Sequence, residues 1–196
     1  MNNLVVPYIQ QSKESSCGAA ALSMVYRYLG KDDQTEEVIW ERLKVPRPNL
    51  NGQYYLETPR MAKDAQEQGF SYFLAQAVLD SSDLALQPIR EFLSLSVPVV
   101  VCQRISETNE LGHFRVVTGT DKSSVTFNDP MHGSAKTTVD IDKFMFFWSR
   151  ANNGEVIGGQ FFAIFKKGQI KRENRFTVFT FESSIKYFNA TSLEFI

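Results

Sequence analysis

Residues 112–130, GHFRVVTGTDKSSVTFNDP, decide the fold prediction because they have the pattern of two strands joined by a tight turn. The apolar runs FRVV and VTF flank the polar residues 121–123, as in a β-hairpin. If the two runs pair about that turn, the cross-strand partner of His113 falls near residue 130 or 131. The sequence therefore predicts that His113 and Asp129 lie together at the open end of the hairpin.

The segments on either side of this hairpin predict an α+β domain. Helical periodicity and helix start signals precede it, and strand-like runs dominate the second half. Helices are predicted at 17–29, 35–43 and 59–68, around 86–96 and at 140–150; further strands are predicted at 97–105, near 135–139 and at 159–167. Thr58 is expected to cap the third helix, and the stretch 45–57, with two prolines and a glycine, is expected to be a loop. Helices first and a mostly antiparallel sheet second is an α+β order.

The C-terminal stretch 170–196 is rich in aromatic residues and is expected to pack on the main domain, residues 1–169, as an extension. The segment 176–181, FTVFTF, alternates like one more strand. Residues 183–196 are compatible with a short helix or with a tail.

The composition excludes several function classes. The 196 residues carry a formal net charge of −1, with 43% apolar and 22% charged residues. Bulk charge therefore favours neither nucleic acid nor an anionic membrane as a partner. No apolar stretch approaches the roughly 20 residues of a membrane helix, and the N-terminus lacks the features of a secretory signal. The two cysteines form no CxxC pair, so we expect no disulfide, metal or cofactor, and a cytoplasmic protein.

Cys17 opens the most apolar predicted helix of the first half, directly after the polar run 12–16. A thiol at a helix N-terminus lies near the positive end of the peptide dipoles, which favours the thiolate. Gly18 would let a substrate carbonyl approach the backbone closely, and Gly112, beside His113, is expected in the same substrate site. From position alone, Cys17 is equally compatible with a nucleophile and with a small buried residue at the start of a core helix.

The histidines favour the nucleophile. A carboxylate at Asp129 can accept from one ring nitrogen of His113 and leave the other nitrogen as a base. His132, in the loop after Asp129, is the rival base, and Cys102 is expected to be a core thiol. The glutamine pair at residues 10–11 offers a side-chain amide that could donate to the oxyanion of acyl transfer.

These blocks together resemble a known family. The order is Gln11, then Cys17-Gly18-Ala19-Ala20-Ala21-Leu22 with Met24 and Gly30, then Gly112-His113-Phe114 with Val116, Val117 and Gly119, then Asp129-Pro130. This pattern resembles the papain-like cysteine peptidase domains that remove double-glycine leaders from bacteriocin precursors. The intervening helices, the strand at 97–101 and the late helix that ends at Trp148 follow the same order, so the resemblance covers roughly residues 5–167.

The resemblance implies a papain-like fold in which N-terminal helices pack against the sheet. It also implies a role for four residues: Cys17 as nucleophile, His113 as general base, Asp129 as the acid that orients the base, and Gln11 as oxyanion donor. Ser16 stands where the family often has an aspartate. Because no transporter segment follows, the chain is expected to be a stand-alone member, with an exporter as an expected partner.

Three function classes follow for this constellation. The first is a cysteine peptidase that acts on a peptide or protein substrate through a thioester, with cleavage after glycine in a leader-like peptide. The second is a papain-like thiol acyltransferase, in which an amine instead of water resolves the thioester. The third is a catalytically silent peptide-binding module of the same fold. The sequence specifies neither the oligomeric state nor the substrate.

Overall fold

The structure is a computed structural model, and it describes residues 3–48, 52–131, 133, 135–170 and the backbone of 185–190. His132 and the strand predicted at 176–181 lie outside the described residues.

Three helices occupy the first third of the chain: α1 (Cys17–Tyr28), α2 (Glu36–Leu43) and α3 (Thr58–Glu67). The cap predicted for α2 is confirmed, since the Thr35 hydroxyl accepts from the backbone N–H of Val38. The cap predicted for α3 is wrong, because Glu57 is the N-cap and Thr58 is already helical, with Pro59 beside it in the first turn. Proline in the first turn loses no helical hydrogen bond, so the helix still begins where the sequence signals a start.

A seven-stranded sheet forms the centre of the molecule. Its strands are β3 (Ser71–Ala77), β4 (Val99–Arg104), β5 (Gly112–Thr120), β6 (Ser124–Asn128), β7 (Thr137–Asp140), β8 (Gln160–Phe165) and β9 (Ile185–Ala190), and β1 (Val45–Pro46) pairs separately with β2 (Tyr54–Tyr55). The spatial order is β7-β6-β5-β4-β8-β3-β9, and every pair is antiparallel. The prediction of a mostly antiparallel α+β architecture is confirmed.

Three elements differ from the sequence predictions. β3 was not predicted, because SYFLAQA lacks both β-branched residues and a period of two and is identified as a strand only by its neighbours β8 and β9. The segment 185–190 is a strand that pairs with β3, and it is neither a helix nor a free tail. The short pair β1–β2 lies inside the stretch predicted to be a loop.

The core has two halves because helices cover both faces of the sheet. On one face, α1, α2 and α3 pack over inward side chains such as Val100 and Phe162. On the other face, α4 (Ser82–Ser94) and α5 (Ile141–Trp148) pack over Val99, Val101 and Phe161. This double cover explains why the first four residues of β4, 99–102, are continuously apolar. Each fully buried side chain of this size contributes roughly 1.5–3 kcal/mol to folding.

Close packing also constrains the entry to β8. Gly159 has a φ of +70°, and an added Cβ would lie 2.5 Å from the carbonyl oxygen of Ala77 at the end of β3. Only glycine allows that approach. None of the helices in the described part of the chain has the length and apolar character that a membrane crossing requires.

Candidate active site

Cys17 is the first residue of α1, and it is 7% exposed. The preceding residue, Ser16, exchanges hydrogen bonds with the backbone of Lys13 and does not cap the helix with its side chain. The first turn of α1 contains no acidic residue. No carboxylate of this turn therefore lies at the positive end of the helix dipole. A negative charge on the Cys17 sulfur is the one that the dipole would stabilise in this turn.

His113 and Asp129 lie together at the open end of the predicted hairpin. His113 Nε2 is 2.7 Å from Asp129 Oδ1, and both side chains are 1% exposed. The β5–β6 ladder ends at Val116 and Asn128, after a register shift between Val117 and Gly119. The proximity expected from the sequence is confirmed, and the structure adds which nitrogen is engaged. With Nε2 held by the carboxylate, Nδ1 is the nitrogen left to act as a base.

The N-terminal segment holds Asp129 in place through hydrogen bonds to the backbone of residues 129–130 and to the side chain of Asn128. The Tyr8 hydroxyl donates to the carbonyl of Asp129 at 3.1 Å, and the N–H of Gln11 donates to the carbonyl of Pro130 at 3.0 Å. The Asn128 side-chain amide donates to the carbonyl of Val6 at 3.1 Å. The position of Asp129 is thus fixed by a segment more than a hundred residues earlier in the chain.

The thiol and the imidazole change each other's ionisation. Burial raises the pKa of Cys17, but the charge of His113, its hydrogen bond and backbone hydrogen bonds from Phe114 and Gly18 outweigh burial, so the pKa is lowered overall. Burial lowers the pKa of His113, but the charge of Cys17 and the hydrogen bond to Asp129 outweigh it, so this pKa is raised. Both shifts favour a thiolate–imidazolium pair.

Arg115 is a site residue that the sequence prediction missed. It is 3% exposed, and its Nε donates to Asp129 Oδ2 at 2.7 Å. Burial raises the pKa of Asp129, but the hydrogen bond and charge of His113 and the charge of Arg115 outweigh burial and hold that pKa well below its usual range. A signal was present in the sequence, since Arg115 is the charged residue in the run FRVV, two positions after His113 and therefore on the same face of β5.

Cys17 and His113 line a cleft of about 910 Å³. Most of its other lining residues lie in the segments 53–59, 105–112 and 153–160. Cys102 is 5% exposed and also lines this cleft, and burial, followed by the charge of Cys17, raises its pKa to about 12. Cys102 therefore stays protonated near neutral pH.

The two glycines predicted in the substrate site differ in position. Gly112 lines the cleft, and its N–H donates to the Glu155 carboxylate at 2.9 Å. Gly18 is not among the residues that line the cleft. A Cβ added to Gly18 would lie 3.1 Å from atoms of Leu56, Met61 and Phe114, so the observed reason for glycine here is close packing of α1.

Gln11, the expected oxyanion donor, turns its amide toward its own loop. Its Nε2 donates to the carbonyls of Lys13 and Glu14 at 2.9 and 3.0 Å, and its Oε1 is buried with no hydrogen-bond partner among the described residues. Gln11 does not line the cleft. No group of three or more His, Cys, Asp or Glu side chains that could hold a metal ion occurs in the described ranges.

The fold and the matching sequence profile together place the chain among papain-like peptidase domains or related domains of that fold. The sequence profile described as the Peptidase_C39 like family matches residues 3–156. The chain belongs to this family, and the family prediction is confirmed. No curated protein sequence matches the chain.

Solved structures support the same fold. One described as a C39-like peptidase from Bacillus anthracis matches with a TM-score of 0.62 and 16% identity, over 85% of this chain and 98% of that chain. A double glycine motif protease from an AMS/PCAT transporter, in complex with the leader peptide, matches with a TM-score of 0.56 and 18% identity, over 83% and 93% of the two chains. The peptidase domain of Streptococcus ComA, a bi-functional ABC transporter, matches with a TM-score of 0.54 and 19% identity, over 84% and 97%.

Proposed function

We propose that this protein is a cysteine peptidase in which Cys17 is the nucleophile, His113 the general base and Asp129 the acid that orients the base. The observation that carries the proposal is the buried hydrogen bond between His113 Nε2 and Asp129 Oδ1 beside a thiol whose pKa is lowered. A buried, oriented imidazole next to an ionisable thiol at a cleft is the arrangement that nucleophilic acyl transfer needs. Membership of the peptidase family supports the same function.

The reaction proceeds through a thioester. His113 Nδ1 takes the proton from the Cys17 thiol, and the thiolate attacks the carbonyl carbon of a peptide bond. As the tetrahedral intermediate collapses, the C–N bond breaks, and His113 returns the proton to the leaving amine. Water then adds to the thioester with His113 again as base, and the C–S bond breaks. Asp129 keeps Nε2 protonated and stabilises the imidazolium throughout.

The oxyanion needs preorganised donors. We assign the backbone N–H of Cys17, at the start of α1, as one donor, and the Gln11 side-chain amide as the second. Because the Gln11 amide donates to the carbonyls of Lys13 and Glu14, this second role requires the amide to turn toward the bound substrate. Loss of one oxyanion donor typically costs about 10²–10³ in rate.

The proposed substrate is an extended peptide that lies in the cleft, with cleavage after glycine in a leader-like sequence. A structure of similar fold is a double glycine motif protease bound to its leader peptide, and another belongs to a transporter. An exporter is therefore the partner class that we propose. The chemistry requires Cys17 as a free thiol, so the proposal assumes a reducing compartment such as the cytoplasm.

A peptide library analysed by mass spectrometry tests the proposal. The wild-type protein is expected to generate cleavage products, and Cys17→Ala is expected to abolish them. Cys102→Ala is the matched control, because it removes the other cleft thiol and is expected to retain turnover. Adducts of increased mass would establish acyl transfer to an amine instead of hydrolysis. If neither products nor adducts form although Cys17 is reactive, the protein is a peptide-binding module and the peptidase proposal fails.

A further inference from the structure

The Arg115 guanidinium donates four hydrogen bonds to neighbouring acceptors. Its Nε donates to Asp129 Oδ2 at 2.7 Å. Its Nη1 donates to Gln103 Oε1 at 3.3 Å and to a carbonyl at 2.9 Å, and its Nη2 donates to a second carbonyl at 2.9 Å; both carbonyls belong to residues 104–105, where β4 ends. Gln103 is in turn fixed, because its amide donates to the carbonyl of Phe144 on α5 at 3.1 Å.

Two aromatic rings lie close to the same guanidinium. The ring centroid of Phe127, on β6, lies 5.5 Å from Arg115 Cζ, and that of Phe147, on α5, lies 5.6 Å away. Arginine favours such stacked positions because its planar, weakly hydrated group binds aromatic faces and carboxylates together. Arg115 is therefore held rigidly by β4, β6 and α5 against Asp129.

Packing alone does not explain an arginine at this position. Burial of a charged pair carries a desolvation cost, and replacement of such a pair by apolar residues of similar volume is often neutral or stabilising. The neighbouring residues Val99, Val101 and Val117, buried on the same side of the sheet, pack through apolar contacts. What distinguishes Arg115 is that the carboxylate it binds also holds His113.

We infer that Arg115 is a positioning residue of the Cys17–His113 pair. It binds the second oxygen of Asp129, holds the first oxygen against His113 Nε2, and by its charge limits how strongly Asp129 retains the proton on His113. This inference rests on the proposed function, since it assigns Arg115 a role in preparing the same two groups for catalysis. Arg115 acts through Asp129, and no contact between its guanidinium and a substrate is implied.

The sign of the effect follows from the charges around His113. The charges of the ionised groups alternate along a series of four residues. Cys17 is negative and His113 positive, and Asp129 is negative and Arg115 positive. The positive charge of Arg115 lowers the pKa of His113, whereas the Cys17 charge and the Asp129 hydrogen bond raise it. Removal of the arginine charge should therefore raise the pKa of His113 further.

Other titratable groups approach His113 and its neighbours from the remaining elements. The Cys102 sulfur on β4 accepts a backbone hydrogen bond from His113. Glu155 binds the N–H of Gly112 from the loop before β8, and the Tyr8 hydroxyl reaches the carbonyl of Asp129 from the N-terminal segment. Lys143 on α5 lies over the ring of Phe147. Substitution of Arg115 leaves all four groups in place. A change in the titration of His113 therefore reports on Arg115.

Titration of the histidine ring by NMR tests the inference directly. The chain contains two histidines, and a His132→Gln variant assigns the signals. In Arg115→Met the titration midpoint of His113 is expected to rise by about one pH unit. Arg115→Lys, which restores a positive charge, is expected to return the midpoint toward the wild-type value. An unchanged midpoint in a folded neutral variant would overturn the inference.

Two further variants separate positioning from folding. Arg42→Met breaks a comparable ion pair with the buried Asp64, 2.7 Å away and remote from the cleft, and is expected to lower stability without moving the His113 midpoint. If Arg115→Met does not fold, Arg115→Gln keeps a donor for Asp129 without the charge, and the same upward shift is expected. The titration requires no turnover, so a failure to cleave peptides would refute the peptidase while leaving the result for Arg115 to stand on its own.

Discussion

Selective alkylation of the two cysteines tests the electrostatic basis of the site. Iodoacetamide reacts with thiolates, so its rate with each cysteine follows the ionised fraction and the access to the sulfur. Access does not separate the two residues, because Cys17 and Cys102 are 7% and 5% exposed and both line the cleft. A difference in rate therefore measures a difference in ionisation.

The magnitude follows from the pKa directions. An unperturbed thiol is about 3% ionised at pH 7, and the pKa of Cys17 is lower than that of an ordinary thiol. Cys102, with a pKa of about 12, is ionised to a fraction on the order of 10⁻⁵ at pH 7. We therefore expect Cys17 to be labelled at least about 10³ times faster than Cys102.

His113→Ala provides the decisive comparison. The substitution removes the imidazolium charge and its hydrogen bond and leaves burial, which raises the pKa of Cys17. We expect labelling of Cys17 at pH 7 to slow by about tenfold or more, as measured by mass spectrometry of the digested protein over a series of times and pH values. Equal labelling of the two cysteines, or an unchanged rate in His113→Ala, would refute the assignment of the pair.

Three further predictions concern stability. Gly18→Ala is expected to lower the free energy of unfolding by about 1–3 kcal/mol, because the added Cβ lies 3.1 Å from three apolar side chains. Gly112→Ala, whose added Cβ has its nearest contacts at 3.5 Å, is expected to change this free energy little. Equal effects of the two substitutions in chemical denaturation would contradict the prediction. Asp64→Ala is expected to cost roughly 3–5 kcal/mol, since it leaves Arg42 without its carboxylate partner, and a loss below about 1 kcal/mol would show that solvent replaces the pair. The folded-state pKa of Asp129 lies below its ordinary value of 3.8. The contribution of Asp129 to stability is therefore present above that ordinary value and is lost as the pH falls through the folded-state pKa. Denaturation measured from about pH 6 to about pH 2 should show a loss of stability that is smaller in Asp129→Asn.

The local sequence pattern was sufficient to predict most helices and strands. The helices at α1, α2 and α5 begin where an N-terminal signal precedes an apolar period, and β4, β5, β6 and β8 coincide with β-branched or aromatic runs. These elements were predictable because each carries its own signal of length, periodicity and end residues. β3 was not, because its strand character comes from pairing with β8 and β9, which are distant in sequence.

The sequence by itself determined that His113 and Asp129 meet, since a two-strand hairpin with a short turn leaves little freedom in which residues face each other. It also placed Cys17 at a helix start, which is a local feature. Only the tertiary structure decided that Nε2 faces Asp129, that the Gln11 amide turns to its own loop, and that Arg115 binds the second carboxylate oxygen. Those facts depend on how α5, the N-terminal segment and three strands pack around one buried group. The Gln11 contacts span two and three residues and the Arg115–Asp129 contact spans fourteen. Which atoms meet is nevertheless decided by packing against other elements, and no local pattern encodes it.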